Sequence, residues 1–319
     1  CVNRILERIG VRDVYMVGEQ AYPDGNFPTC PYPNPEIREA LERGIALCEQ
    51  VKPDLLLATD PDADRVGIAV KDGDDYQLLT GNETGALLFD YICRMRSQLG
   101  KMPARPLAVT TIVSTSIVDA IAADHGVELK RVLTGFKYIG GIQRELEEAG
   151  ELDRFIFGFE ESYGYLAGCH ARDKDAIVAS MLICQMARAY RSEGMNLYQA
   201  MQALYQKYGY HHNRTLAFTF EGASGAARMA EIMDSLRADG LDSVAGKAVL
   251  ETLDYQPGLG MLPPANVIEF DLEDSCKVIV RPSGTEPKIK VYLFTTGASM
   301  EDARGVGDEL AEALNVLFQ

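Results

Sequence analysis

The segment TDPDADR at 59–65 sets Asp60, Asp62 and Asp64 at alternate positions between two apolar runs, DLLLAT at 54–59 and VGIAV at 66–70. Carboxylates this close repel one another unless a cation or arginine neutralises them. Hard oxygen ligands at such density suit Mg2+, which takes an octahedral oxygen shell. A calcium EF-hand uses Asp at the same offsets, but it needs Gly at the sixth position and Glu at the twelfth. Here those positions hold Arg65 and Lys71. Arg65 can pair with the acids or reach a phosphate oxygen with its planar fork. The plain alternative is a solvated acidic turn.

A second segment, RPSGTEPKIK at 281–290, lies between the apolar runs CKVIV and VYLF. Arg281 offers a guanidinium fork, Ser283 and Thr285 offer hydroxyls, and Gly284 lets backbone amides approach an anion. Lys288 and Lys290 add positive charge. A hairpin turn accounts for the Pro and Gly but not for the Arg with two hydroxyls. The chain has no GxxxxGK[ST] phosphate loop.

The third segment, FGFEESYGY at 157–165, sets two glutamates at the end of an apolar run. Ligands of α/β sheets bind at the ends of strands, so Glu160 and Ser162 are candidate binders of sugar hydroxyls. A hydrolase elbow needs Gly two before its Ser, and Glu160 stands there. An exposed charged turn is the alternative. Lys137 in TGFKYIGG and Lys174 in HARDKDA are candidates to touch an anionic substrate or move a proton, although a single lysine is more often a surface group. The four histidines show no metal-ligand spacing, and TTIVSTS at 110–116 reads as a helix cap.

These segments need elements to position them. VYMV at 14–17, DLLLAT, LAVTTI at 107–112 and RFIFGF at 154–159 read as buried strands. Helical patterns alternate with them. PEIREALERGIALCEQ at 35–50 has Asn34 placed to cap it and Pro35 in its first turn. Such alternation predicts α/β layers with parallel sheets. Boundaries near Thr80 and Gly209 give segments 1–80, 81–208 and 209–319, the last with the strand and helix order of an α+β domain.

The net charge of −16 argues against nucleic acid, whose phosphates demand clustered Lys and Arg. No apolar stretch is long enough to span a membrane. Seven cysteines without a CxxC pair fit reduced thiols in cytoplasm better than a disulfide frame. The start, CVNRILERIG, lacks Met and reads as an amphipathic helix entered in midstream, so the chain is expected to be a fragment.

TDPDADR, GFEESYGY followed by ARDKD, and RPSGTEPK come in the order found in the α-D-phosphohexomutase superfamily, the phosphoglucomutase/phosphomannomutase enzymes. The whole chain resembles that family, including PNPE at 33–36 and LTGFKYIG at 133–140. GFEESYGY is most similar to a bacterial phosphoglucomutase branch with phosphopentomutase-like members. The resemblance implies consecutive α/β mutase domains, the second partial and the third complete, followed by a C-terminal α+β domain like the TATA-binding protein. It implies Mg2+ on Asp60, Asp62 and Asp64. Sugar hydroxyls would fall to Glu160 and Ser162, and a substrate phosphate to Arg281, Ser283, Gly284, Thr285 and Lys288. Arg65, Lys137 and Lys174 would be the catalytic candidates.

The expected reaction interconverts hexose 1-phosphate and 6-phosphate through a phosphoserine and a bisphosphate. No Ser-His-Asn-Pro loop of the kind that carries the phosphoserine occurs here. The expectation is therefore an inactive fragment that partners the N-terminal domain of the same protein and binds Mg2+ weakly without the serine phosphate. Mannose and pentose phosphates stay open as substrates. A non-catalytic sugar-phosphate-binding protein is the reading from another class. A dehalogenase-like phosphatase needs DxDxT, and Asp64 stands where its Thr belongs.

Overall fold

The computed structural model describes residues 1–220, 225–284 and 287–318. It divides into two compact units, residues 1–114 with 118–207, and residues 115–117 with 208–319.

In the first unit, helix α1 (Val2–Arg8) and helix α2 (Arg38–Val51) precede strands β1 (Leu55–Thr59), β2 (Val66–Asp72) and β3 (Asp75–Leu79). The strands form an antiparallel sheet in the order β1-β2-β3. Parallel pairing was the expectation, but a parallel crossover takes a dozen or more residues. The links here are only 60–65 and 73–74. The register sets Thr59 opposite Val66, so the acidic segment is the turn of a hairpin.

Two other expectations fail locally. Residues 14–17 form no strand: they have no ladder partner among the described residues, and Val14, Tyr15 and Met16 are exposed. Nor does helix α2 begin at Pro35. The Asn34 side chain accepts from the amide of Glu36 at 3.0 Å, which makes a turn, and the helix starts three residues later without a side-chain cap.

The chain continues through α3 (Gly81–Gln98), β4 (Leu107–Thr111), α4 (Ile117–His125), β5 (Glu128–Val132), α5 (Phe136–Glu148), β6 (Phe155–Glu160), β7 (Gly164–Leu166), α6 (Ala176–Ser192) and α7 (Leu197–Tyr208). The second sheet runs β5-β4-β6-β7, with β4 parallel to β5 and β6, and β7 antiparallel. A register shift where β6 pairs with β4 lets neighbouring aromatics serve different layers. Phe155 packs with Ile139 and Leu146 of α5, whereas Phe157 stacks between Phe159 and Phe89 of α3. Each fully buried Phe contributes about 1.5–3 kcal/mol of burial free energy, and together they fix β6 between its covering helices.

The second unit contains β8 (Tyr210–Thr219), α8 (Gly225–Ala238), β9 (Ser243–Val244), β10 (Lys247–Asp254), β11 (Ile268–Leu272), β12 (Lys277–Pro282), β13 (Lys288–Gly297) and α9 (Met300–Phe318). Its antiparallel sheet runs β8-β13-β12-β11-β10-β9. Alternate residues such as Phe270, Val280 and Val291 meet Met233 of α8 and Leu310 of α9 in one core, the α+β arrangement expected from the sequence. No helix among the described residues is long and apolar enough to cross a membrane.

Candidate active site

The turn between β1 and β2 is wrapped around Asp60. Its Oδ1 accepts from the amides of Asp64 and Arg65 at 3.1 and 3.0 Å, and Ala63 takes a positive φ of 57° to close the loop. The ligand oxygens of Asp60, Asp62 and Asp64 lie within 4.8 Å of one another. Oδ1 of Asp64 is buried and has no hydrogen-bond partner. A buried anionic oxygen without a partner beside two further carboxylates is a good fit to a divalent cation with oxygen ligands. Burial pushes the Asp60 carboxyl up to about 6. The Arg65 amide opposes the shift, and the charges of Asp64 and Asp62 add to it.

The glutamate loop between β6 and β7 meets this turn directly. The amide of Val66 donates to the carbonyl of Tyr163 at 3.1 Å, and Arg65 bridges to Gly164. Tyr163 holds a positive φ of 66°, which sharpens the turn. Gly81, first in α3, is needed for close approach. A Cβ there would stand 2.0 Å from the Glu161 carbonyl oxygen and 2.8 Å from the Tyr163 amide nitrogen. Glu160 is only 7% exposed, and its Oε1 accepts from the Gly135 amide at 2.7 Å. Burial raises its pKa, while the Gly135 amide and the charges of Lys174 and Arg65 pull it down. Glu161 accepts from Thr111 Oγ1 at 3.1 Å, and burial of its carboxyl beside Glu160 pushes it up to about 7. Ser162 sits half-buried between them and Tyr163.

Lys174 completes the cluster. Asp175 caps α6 through the amides of Ile177 and Val178, and the amide of Ala176 donates to the carbonyl of Ala63 in the aspartate loop at 3.0 Å. Lys174 is thereby delivered to Asp64 Oδ2 at 2.7 Å. Its methylene chain crosses Gly164, where a Cβ would lie 2.1 Å from Cδ. Burial alone would lower the pKa of Lys174, but hydrogen bonds to Asp64 and Asp173 outweigh it and the net shift is upward. Asp60, Asp62, Asp64, Arg65, Glu160, Ser162 and Lys174 thus share one region of the first unit. Lys137 does not join them among the described contacts: it is exposed, with its ammonium 5.0 Å from the Tyr138 ring centroid.

In the second unit, Arg281 lies on β12 opposite Lys290 of β13. The Ser283 amide donates to the Lys288 carbonyl at 2.7 Å and narrows the hairpin at its base. Gly284 is exposed, has no positive φ, and has no described atom within 4 Å of where a Cβ would sit. Neither backbone conformation nor packing with described atoms therefore demands glycine there. Thr285 lies outside the described residues.

Residues outside the three candidate segments also support these loops. Thr80 and Glu83 form a reciprocal capping box at the head of α3, a T-x-x-E signal that was available in the sequence. In TTIVSTS, Thr111 and Ser114 bond each other at 2.9 Å and Thr111 reaches Glu161, so part of a segment read as a cap supports the glutamate loop. No sequence signal marks Gly81 or Gly135, because their roles depend on contacts far along the chain.

An α/β unit presenting an aspartate loop and a glutamate loop together, followed by an α+β domain with a basic hairpin, agrees with the domain order that the sequence resemblance implies for a phosphohexomutase. Three family models match in order: phosphoglucomutase/phosphomannomutase alpha/beta/alpha domain II over residues 1–73, domain III over 80–208, and the C-terminal domain over 226–313. The chain belongs to the phosphoglucomutase/phosphomannomutase family. It is 35% identical over 304 residues to a phosphoglucomutase of Staphylococcus epidermidis, covering 92% of this chain and 54% of that protein. A Staphylococcus aureus phosphoglucomutase is 34% identical over 313 residues, covering 94% and 55%. The chain thus spans about half the length of these relatives. The fold is similar to that of parafusin, a phosphoglucomutase from Paramecium in its open form, with TM-score 0.65, 19% identity, and coverage of 89% and 50%. A phosphomannomutase-like protein from Thermus thermophilus gives TM-score 0.61 at 20% identity, with the same coverage.

Proposed function

We propose that this chain forms the metal-, sugar- and phosphate-binding parts of a phosphoglucomutase-type enzyme that interconverts hexose 1-phosphate and 6-phosphate. The observation that carries the reading is the convergence of the aspartate loop, the glutamate loop and Lys174 in one region. Segments 1–80, 81–208 and 209–319 would act as the second, third and fourth mutase domains. Asp60, Asp62 and Asp64 would hold Mg2+, which draws charge off a transferring phosphoryl group. Glu160 and Ser162 would bind sugar hydroxyls. Arg281, Ser283, Gly284, Thr285 and Lys288 would grip the phosphate that is not reacting. Lys174, kept cationic by Asp64 and Asp173, would face the reacting phosphate with Arg65, and Lys137 would join them only after a movement of its side chain.

Transfer would pass through a phosphoserine and a bisphosphate. This sequence holds no Ser-His-Asn-Pro loop, so its residues would bind and orient rather than carry the phosphoryl group. Glucose phosphate is the favoured substrate, with mannose and pentose phosphates the alternatives. The reading as a sugar-phosphate-binding protein without catalysis leaves the aspartate cluster without a purpose. The deciding experiment assays the full-length protein that carries this sequence, with glucose 1-phosphate and mannose 1-phosphate and Mg2+. Formation of the 6-phosphate supports the proposal; release of inorganic phosphate without isomerisation overturns it.

A further inference from the structure

Two facing groups in the metal loop lack hydrogen-bond partners. Arg65 Nε and Asp64 Oδ1 are 3.7 Å apart, and each is buried. The same Nε stands 3.6 Å from Asp60 Oδ2. A small rotation of the guanidinium would close either gap to hydrogen-bond length, and buried groups of opposite charge ordinarily do close it. Two contacts oppose the closure. Arg65 Nη1 donates to Glu36 Oε1 at 3.2 Å, and Lys174 occupies the other oxygen of Asp64 at 2.7 Å.

Glu36 is held for this task by the PNPE segment. The Asn34 side chain accepts from the Glu36 amide at 3.0 Å, and the Asn34 carbonyl accepts from the Ile37 amide at 3.0 Å. Pro35 rests on Gly67, two residues past Arg65, where a Cβ would come within 2.9 Å of the Pro35 carbonyl oxygen. The turn is thus fixed against the first residues of β2, and its glutamate meets the arginine that follows the aspartates.

We propose that Glu36 is a positioning residue that holds the Arg65 guanidinium off the aspartate triad, so that Asp60 and Asp64 keep oxygens for a divalent cation. The proposal rests on the reading of the triad as a Mg2+ site. Freed from Glu36, the guanidinium would turn onto Asp60 and Asp64 and compete with the cation for the same lone pairs. Glu36 and Arg65 are each about one-third exposed, so solvent screens their pair and its own contribution to stability is small. Its consequence lies in which carboxylate the arginine occupies.

The test titrates MgCl2 into this chain and its variants Glu36→Gln, Arg65→Gln and the double substitution, following amide resonances of residues 59–66 by NMR, which reads millimolar affinities. Glu36→Gln should raise the Mg2+ dissociation constant about three- to tenfold, the range expected from releasing one partly screened arginine onto the site. In the Arg65→Gln background the same change should have almost no effect, because a residue that acts through Arg65 loses its influence with it. Glu36→Ala repeats the test with a second side chain. An unchanged constant in Glu36→Gln overturns the proposal. So does a loss of equal size in the Arg65→Gln background, which would mark a plain charge effect. If Mg2+ moves none of the 59–66 resonances in the parent chain, the metal reading itself fails.

Discussion

Lys174 Nζ stands 2.7 Å from Asp64 Oδ2, joining the segment ahead of α6 to the turn between β1 and β2. Under the proposed function, a metal ion on Asp64 would compete with the lysine for that oxygen. Replacing Lys174 with Met keeps much of the packing over Gly164 and removes the rival charge. Without metal, the variant should lose about 1–2 kcal/mol of stability, since a carboxylate that is only one-quarter exposed loses its charged partner. With Mg2+ it should regain more than the parent gains. Thermal unfolding with and without 10–50 mM MgCl2, about the range for a weak site, reads the difference. Equal metal-induced shifts in the two proteins would show that Lys174 and the cation do not share Asp64.

Gly81 predicts a steric effect. Alanine is the better helix former, yet its Cβ would lie 2.0 Å from the carbonyl oxygen of Glu161. Backbone cannot yield as a flexible side chain can, so Gly81→Ala should destabilise the fold by about 1–3 kcal/mol or displace the 161–163 turn. Urea unfolding measures the first outcome, and amide shifts of residues 160–166 the second. A more stable protein with unmoved shifts would refute the close approach.

If Asp60 holds the proposed Mg2+, metal binding should depend on pH. Burial, with the neighbouring acids, raises its pKa to about 6, so the carboxyl is protonated below that value and ionised above it. Mg2+ requires the ionised form and displaces the proton. Affinity should therefore be nearly flat above pH 7 and fall by up to about tenfold per unit as pH drops below 6. Asp60→Asn should abolish that slope along with most of the binding. Calorimetry in two buffers of different ionisation heat would also detect proton release near pH 6. A pH-independent affinity from 5 to 8, about three units spanning the transition, would contradict the assignment.

The three candidate loops stand out in the sequence because each combines residue types that a plain turn does not need: three alternate aspartates, paired glutamates at a strand end, and an arginine with two hydroxyls. Strand and helix sites were legible for the same local reason, apolar periodicity. What escaped was set by partners distant in sequence. Residues 14–17 have the composition of a strand, but a strand exists only where another backbone accepts its hydrogen bonds. The position of Asn34 before Pro35 is that of a helix cap, whereas its side chain closes a turn that aims Glu36 at Arg65. The antiparallel pairing of β1 with β2 follows from the six residues at 60–65 between them, too few for a parallel crossover.

Arg281 carries the last prediction, which follows from its proposed phosphate-binding role and concerns the full-length protein. It is half-buried on β12, its strand position opposite Lys290. A guanidinium there would contact a phosphate that does not react, and that contact would be equal in the bound substrate and in the transition state. Removing such a contact raises KM and leaves kcat largely intact. Loss of a charge-assisted hydrogen bond is worth about 1.5–3 kcal/mol, so Arg281→Ala should raise KM for the phosphosugar roughly 10- to 100-fold. Arg281→Lys keeps the charge but not the planar fork and should recover only part of the loss. Steady-state kinetics at saturating Mg2+ separate the two parameters. An equal fall in kcat and kcat/KM would place Arg281 at the reacting phosphate instead, and unchanged kinetics would remove it from the site.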